Sequence, residues 1–404
     1  MYKIFSKIIT KRVSKELDEN QPPEQAGFRA GYSTIDHLQT INQILEKFQE
    51  FRIGLYVAFV DFTKAFDCVE HPPVLEALAK QGIQKKYVRI LAEIYSDNKA
   101  VIKTEKEGAQ FNISRGVKQG DPISPKLFTC LLEQVFRQLE WQNQGIDIDG
   151  KKLTNLRFAD DVILFAKSAK DLEKMLEQLQ TQCKKVGLQM NSTKTKAMTN
   201  KDETPIQVGT ETLKYVDEYV YLGQSVSFQE NNEKEIKTRI SLAWRKFWSL
   251  GFILLDKSQT LNIKKEILDN CVIPTLIYGA QTWTVTQKLK TSIQITQIKM
   301  ERKILQVSTR DRIRNTEIRN RTQVKDAMIT AQIAKWRWAG HTIRLNKDRW
   351  PNITTVWDPR QGERRPGRPR ARWADELKKI AGNLWTRTAK TRDAWKAYEQ
   401  EYKN

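Results

Sequence analysis

The chain has 404 residues, with 69 Lys and Arg against 48 Asp and Glu, a formal charge of +21, and 39% hydrophobic residues. That length supports two or three domains with sizeable cores, and the composition excludes an intrinsically disordered chain. No run of eighteen apolar residues occurs, which argues against a spanning helix, and Cys68, Cys130, Cys183 and Cys271 are too scattered for a zinc site or a disulfide framework.

The opening MYKIFSKIITKRVSKEL is basic and apolar but lacks the long apolar core of a secretory signal, so it reads as an amphipathic helix within 1–20. Residues 21–29 hold Pro22, Pro23 and Gly27 and read as a loop. Helical spacing returns from Thr34 to Phe51, through Ile35, Leu38, Ile41, Leu45 and Phe48. Gly54 then opens a short apolar run, Leu55 to Val60, whose length suits a buried strand. Helices are expected over 74–82 and 87–95, and paired strands over 100–113 turning at Lys106-Glu107-Gly108. Residues 116–125 are rich in Gly and Pro and form a loop, with Ser124 as N-cap and Pro125 as first residue of a helix reaching about Trp141. Two short apolar stretches, 153–158 and 162–167, flank Ala159-Asp160-Asp161 as a tight hairpin. A helix over 171–186 stops at Gly187, and short strands follow near 196–199 and 219–222. From Glu233 to about Arg310 the pattern is helical and basic, with Lys234, Lys237, Arg239, Arg245 and Lys246 beside Trp244, Phe247 and Trp248. The first 225 residues therefore read as an α+β fold, helices on one face of an antiparallel sheet.

Charge is uneven. Residues 301–404 carry 26 basic and 12 acidic residues and seven of the eleven Trp. Interleaved cations and indoles suit nucleic acid better than lipid, because Trp can stack on bases while Arg takes phosphates. The stretch Arg365-Pro366-Gly367-Arg368-Pro369-Arg370 is similar to an AT-hook core with Pro366 in place of its first Arg, and reads rather as a flexible basic linker. His37, His71 and His341 are isolated and read as packing or surface residues.

Asp61 ends the buried strand, and Asp160 and Asp161 sit side by side at the tip of the apolar hairpin. Carboxylates at the ends of buried strands are costly unless solvated, paired or bound to cations. A lone Asp-Asp pair is most simply a polar turn. A strand-end Asp followed some hundred residues later by an apolar hairpin bearing Asp-Asp is what a two-metal nucleotidyl transferase needs.

These residues carry a family resemblance. Val60-Asp61-Phe62-Thr63-Lys64-Ala65-Phe66-Asp67 resembles motif A of LINE-type (non-LTR) retrotransposon reverse transcriptases. Gly116 to Pro125 resembles their motif B, Phe158-Ala159-Asp160-Asp161 motif C, Gly187 to Thr195 motif D, and Tyr221-Leu222-Gly223 the primer grip. Gln25-Ala26-Gly27-Phe28-Arg29 with Ser33, Thr34 and Asp36 resembles their finger motif, while Trp338 to His341 and the Gly367 to Trp373 stretch resemble the tail of RTE-like elements. The resemblance implies a right-hand polymerase fold, with fingers and palm over 1–225, a helical thumb over 226–310 and a basic, mostly helical C-terminal region over 311–404. It implies that Asp61, Asp160 and Asp161 are catalytic and hold two Mg²⁺ ions, with Mn²⁺ an alternative. Phe66 would be a steric gate under the incoming sugar. Gln119 and Gly120 would contact nucleotide and template, Lys194 would approach the triphosphate, and Arg29 would be a finger contact. The implied partners are an RNA template, a DNA primer and deoxynucleoside triphosphates, in the nucleus or cytoplasm and without a membrane. Such enzymes carry an Arg-Pro-Ile finger segment ahead of a stretch like Tyr2 to Ile9, so this chain is expected to be N-terminally truncated in its fingers and a weak polymerase. The alternative is an inactive nucleic-acid-binding remnant.

Overall fold

The computed structural model describes the chain except residues 97, 104–106, 230, 365, 368 and 404 and the side chains of 107 and 403. Two compact units form, Met1–His37 with Ile53–Asp217 and Leu38–Arg52 with Glu218–Asn404. Helix α1 (Tyr2–Glu19) lies wholly in the first, whereas α2 (Thr34–Glu50) begins in the first and continues in the second.

The first unit is built on β1 (Tyr56–Val60), whose β-branched and aromatic residues are buried on both faces. The short helix α3 (Ala65–Cys68), α4 (His71–Lys80) and α5 (Lys85–Ser96) follow. The ribbon of β2 (Lys99–Lys103) and β3 (Glu107–Asn112) forms, but Glu107 and Gly108, expected at its turn, belong to β3, and Lys106 lies outside the described residues. After α6 (Ser124–Phe136) come the hairpin of β4 (Ile146–Ile148) and β5 (Lys151–Leu153), then β6 (Asn155–Phe158) and β7 (Asp161–Ala166). Helix α7 (Ala169–Lys184), β8 (Lys196–Thr199), the β9 (Gln207–Val208) and β10 (Glu211–Thr212) pair and β11 (Lys214–Tyr215) complete the unit. The sheet runs β11-β8-β1-β7-β6, antiparallel except where β11 meets β8. Tyr56, Ala58 and Val60 share a core with Val162 and Leu164 of β7, with Leu127 and Leu131 of α6, and with Leu172, Met175 and Leu176 of α7. Each such aliphatic side chain stabilises the fold by about 1.5–3 kcal/mol, as an upper estimate.

Two expectations need correction here. Ser124 is the first residue of α6 rather than its cap, and its hydroxyl donates to Lys118 O at 2.6 Å, closing the preceding loop on itself. The helix stops at Phe136, where Arg137 turns away to donate to Asn20 O (2.7 Å), and Trp141 packs edge-on against the Phe136 ring at 5.5 Å. Ser168, by contrast, caps α7 by accepting from Asp171 N at 3.1 Å.

The second unit is largely helical. Helix α8 (Asn231–Ser249) packs Ile236, Ala243 and Phe247 with Leu268, Val272, Leu276, Trp283, Ile293, Met300 and Ala331. Its Arg239 does not face solvent: it is buried, pairs with Glu235, and also donates to Gly223 O. A π-helical stretch, Leu268–Val272, precedes Pro274, which has no N–H for the regular ladder.

The C-terminal tryptophans are core rather than surface. Trp336, Trp350, Trp373, Trp385 and Trp395 are buried, so they are closed to bases in the folded chain. Their indoles answer an interior need. Trp336 and Trp395 stack at 3.9 Å, and each Nε1 donates to the other's carbonyl, at 3.0 and 2.8 Å. The stretch read as a flexible linker is anchored on both flanks: Glu50 of α2 forms an ion pair with Arg364 (3.0 Å) and accepts from Arg372 Nε at 2.8 Å. Glu46 accepts from Trp373 N at 2.8 Å. Arg365 and Arg368 lie outside the described residues. Among the described residues, no helix is long and apolar enough to cross a membrane.

Gly340 makes the tryptophan stack possible, since a Cβ there would meet Trp395 Cδ1 at 2.4 Å. Gly340→Ala should cost about 1–3 kcal/mol through overpacking. It should lower Tm and weaken the near-ultraviolet circular dichroism of the stacked indoles. An unchanged spectrum would mean that the stack does not depend on this close approach.

Candidate active site

The β1–β7 register ends with Val60 opposite Val162, so one further step sets Asp61 opposite Asp161. Phe158 pairs with Asp161 across the hairpin, leaving Ala159 and Asp160 as a two-residue turn. Three carboxylates are thus delivered to one end of the sheet by strand pairing alone. Burial is the largest cause of a raised pKa at Asp160, with the Asp61 charge adding to it. Asp161 is open to solvent on one side, yet partial burial and the charges of Asp160 and Asp61 push its carboxyl up to about 6.

Asp61 is fixed by its backbone. Its N–H donates to Thr195 Oγ1 at 3.3 Å, and its carbonyl accepts from Asn191 N at 2.8 Å. Its Oδ2 is buried and accepts no hydrogen bond, with Lys194 Nζ 3.9 Å away. Lys194 is well exposed and sits in a turn where Asn191 Oδ1 accepts from its backbone N–H at 3.1 Å. Among the described residues, no three His, Cys, Asp or Glu side chains close into a ready-made metal chelate.

Phe66 stands on α3, stacked on the buried Phe128 at 4.5 Å and edge-on to the exposed Phe28 at 6.5 Å. The glycine-rich loop docks beside it, with Val117 N donating to Phe66 O at 2.8 Å and Gly116 N to Val69 O at 2.7 Å. A side chain at Gly116 has no room, because its Cβ would meet Asp67 O at 2.8 Å. Gln119 Nε2 donates to Asp67 Oδ1 at 2.7 Å, while Gly120 faces open space at φ +76°. Asp121 accepts from Tyr2 OH at 2.7 Å and from Ser6 Oγ, tying α1 to this loop. Arg29 is only half-buried, but its Nη1 donates to the carbonyls of Pro22 (2.8 Å) and Gln25 (3.4 Å), and it lies 4.4 Å over the Tyr32 ring. It staples its own loop.

The fold therefore gathers Asp61, Asp160, Asp161 and Lys194 in one group, and Phe66, Gln119 and Gly120 in a second joined through α3. Sequence reading placed Gln25, Asp67 and Asp121 inside motifs but gave them no role. Gln25 sits in a stretch without periodicity, and nothing in its spacing shows that the side chain turns back onto the Ala159 turn.

Residues 1–226 match the sequence profile of the family described as reverse transcriptase (RNA-dependent DNA polymerase). An uncharacterized transposon-derived protein of Caenorhabditis elegans is 34% identical over 269 residues, 62% of this chain and 96% of that protein. The Pol polyprotein of a type-1 retrotransposable element R2 from Nasonia vitripennis is 29% identical over 238 residues, 54% of this chain but only 22% of the polyprotein. A structure of apo telomerase from Candida tropicalis is similar at a TM-score of 0.44 and 13% identity, covering 86% of this chain and 61% of that one.

The raised Asp161 carboxyl has a measurable sign. Its folded pKa of about 6 lies above its ordinary 3.8, so the folded chain holds that proton longer than the unfolded chain. The resulting penalty is absent well below pH 4, grows between about 4 and 6, and is complete above 6. In chelator-treated buffer, Asp161→Asn should therefore raise Tm at pH 7–8, with the gain shrinking as pH falls from 6 towards 4. A gain independent of pH would show that charge repulsion is not its source.

Proposed function

The chain belongs to the reverse transcriptase family, and on that premise we propose that it is the RNA-directed DNA polymerase of a LINE-type, RTE-like element. In this reading it extends a DNA 3′-hydroxyl on an RNA template with deoxynucleoside triphosphates. Residues 1–225 serve as fingers and palm, 226–310 as thumb and 311–404 as a basic C-terminal region. The observation that carries the reading is the register placing Asp61 against the Asp160-Asp161 hairpin.

The acidic group fits divalent cations. Asp61 Oδ2 is a buried acceptor without a hydrogen-bond donor, and the carboxyls of Asp160 and Asp161 are raised by burial and by neighbouring carboxylate charge. Asp61, Asp160 and Asp161 would hold the ions (two Mg²⁺, or Mn²⁺), which when bound make the attacking hydroxyl more acidic and offset charge on the departing pyrophosphate. The chain's own groups do the rest. Lys194, exposed and within reach of Asp61, can meet the triphosphate and hand a proton to pyrophosphate. Phe66, held flat by Phe128, presents a ring edge that would collide with a 2′-hydroxyl. Gly120 leaves open space for a base pair beside Gln119, which Asp67 orients. Arg29 shapes the finger loop through its carbonyl contacts and leaves its remaining N–H groups for nucleic acid.

Primer extension on poly-rA/oligo-dT with Mg²⁺ tests the reading. Wild-type chain should extend, and Asp160→Asn should lose at least roughly a hundredfold in rate while keeping template binding and Tm. Near-normal synthesis by Asp160→Asn ends the assignment; binding without any synthesis by wild type leaves only a nucleic-acid-binding role.

If Phe66 gates the sugar, Phe66→Ala should lower the preference for deoxy- over ribonucleotides by about 10- to 100-fold. The measurement is single-nucleotide incorporation with each substrate. An unchanged preference in an active variant would make Phe66 a packing residue only.

A further inference from the structure

Ala159 stands at the first position of the two-residue turn that carries Asp160, with φ +58°. That left-handed conformation in a two-residue hairpin is ordinarily glycine's, because a Cβ disfavours it. Something outside the turn must hold it. The finger loop runs along the edge of β6: Arg157 N donates to Glu24 O at 2.8 Å, and Ala26 N to Arg157 O at 2.9 Å. This bridge delivers the fully buried Gln25 to the turn in fixed register. Gln25 Oε1 accepts from Gly27 N at 2.8 Å and from Ala159 N at 3.3 Å. Gly27 closes the contact, since a Cβ there would lie 2.3 Å from Ala159 N. The other end of the amide, Nε2, is buried with no hydrogen-bond partner.

We infer that Gln25 is a positioning residue: its Oε1 holds the Ala159 turn left-handed and so sets the angle at which Asp160 and Asp161 leave the sheet. The inference rests on the polymerase reading for its catalytic consequence, but its structural half can be measured without that reading. It predicts a specific epistasis. Glycine at 159 adopts the same conformation unaided, so it should remove the need for Gln25.

The test compares wild type, Gln25→Leu, Ala159→Gly and the double variant as full-length chains. Hydrogen exchange over 158–162, without metal or nucleic acid, should quicken about tenfold in Gln25→Leu, with a lower Tm because the Gly27 and Ala159 N–H groups lose their acceptor. Primer extension by Gln25→Leu should fall about 10- to 100-fold, the range typical of groups that orient metal ligands. Half-saturation by Mn²⁺, read by electron paramagnetic resonance on the chain without substrates, should shift to higher concentration. Ala159→Gly alone should be near wild type, and the double variant should recover most of both losses. A merely structural role predicts no recovery of exchange or extension in the double variant, and either that result or unchanged exchange in Gln25→Leu overturns the inference. If exchange behaves as expected but wild type neither extends primers nor binds Mn²⁺, the polymerase reading fails while the clamp stands.

Discussion

The first unit depends on a single electrostatic conflict resolved by strand pairing. Three carboxylates stand at one end of a largely apolar sheet, where burial first, and each other's charge second, make Asp160 and Asp161 resist ionisation. Left to themselves such groups would separate or move into water. They cannot, because sliding β7 by one residue would turn Val162, Leu164 and Ala166 out of the core they share with α6 and α7. Hydrophobic burial thus holds a charge arrangement that electrostatics opposes, and the surrounding loops are fitted to that end of the sheet. The glycine loop docks on α3, Asn191 on Asp61, and the finger loop on β6.

Much of this was legible because apolar run length and turn chemistry are local signals. The strand before Asp61, the hairpin around Asp160-Asp161 and the helices over α1, α2, α5 and α7 follow from them, and motif order added the roles. Illegible were the contacts that join distant segments through one side chain. Ser124 has the composition of a cap, but the loop before it recaptures its hydroxyl. Arg239 lies on a basic helix, yet Glu235 and the Gly223 carbonyl draw it inside. Gln25 falls in the finger motif, but nothing in that motif shows its partner, a backbone N–H more than a hundred residues away.

The C-terminal region separates two features that its composition runs together. Five of its tryptophans serve the interior, where large rings bury much area per residue. Arg372 and Arg364 pair with Glu50, whereas Arg310, Arg312, Arg314, Arg370, Arg387 and Arg392 are among the described residues that stay exposed. Those exposed cations are the part of the region that offers a positive field to a polyanion.

The division of α2 bears on how the chain is made. From Leu38 on, it belongs with Glu218–Asn404, although nearly all of the sheet unit is translated between the two. A ribosome adding roughly 5–20 residues per second would leave this stretch apart from the rest of its unit for on the order of ten seconds. Glu46 and Glu50 wait longer still, until Arg372 and Trp373 emerge near the end of synthesis. A chain stopped before Arg372 would leave both carboxylates without these partners, so this junction closes only as translation ends.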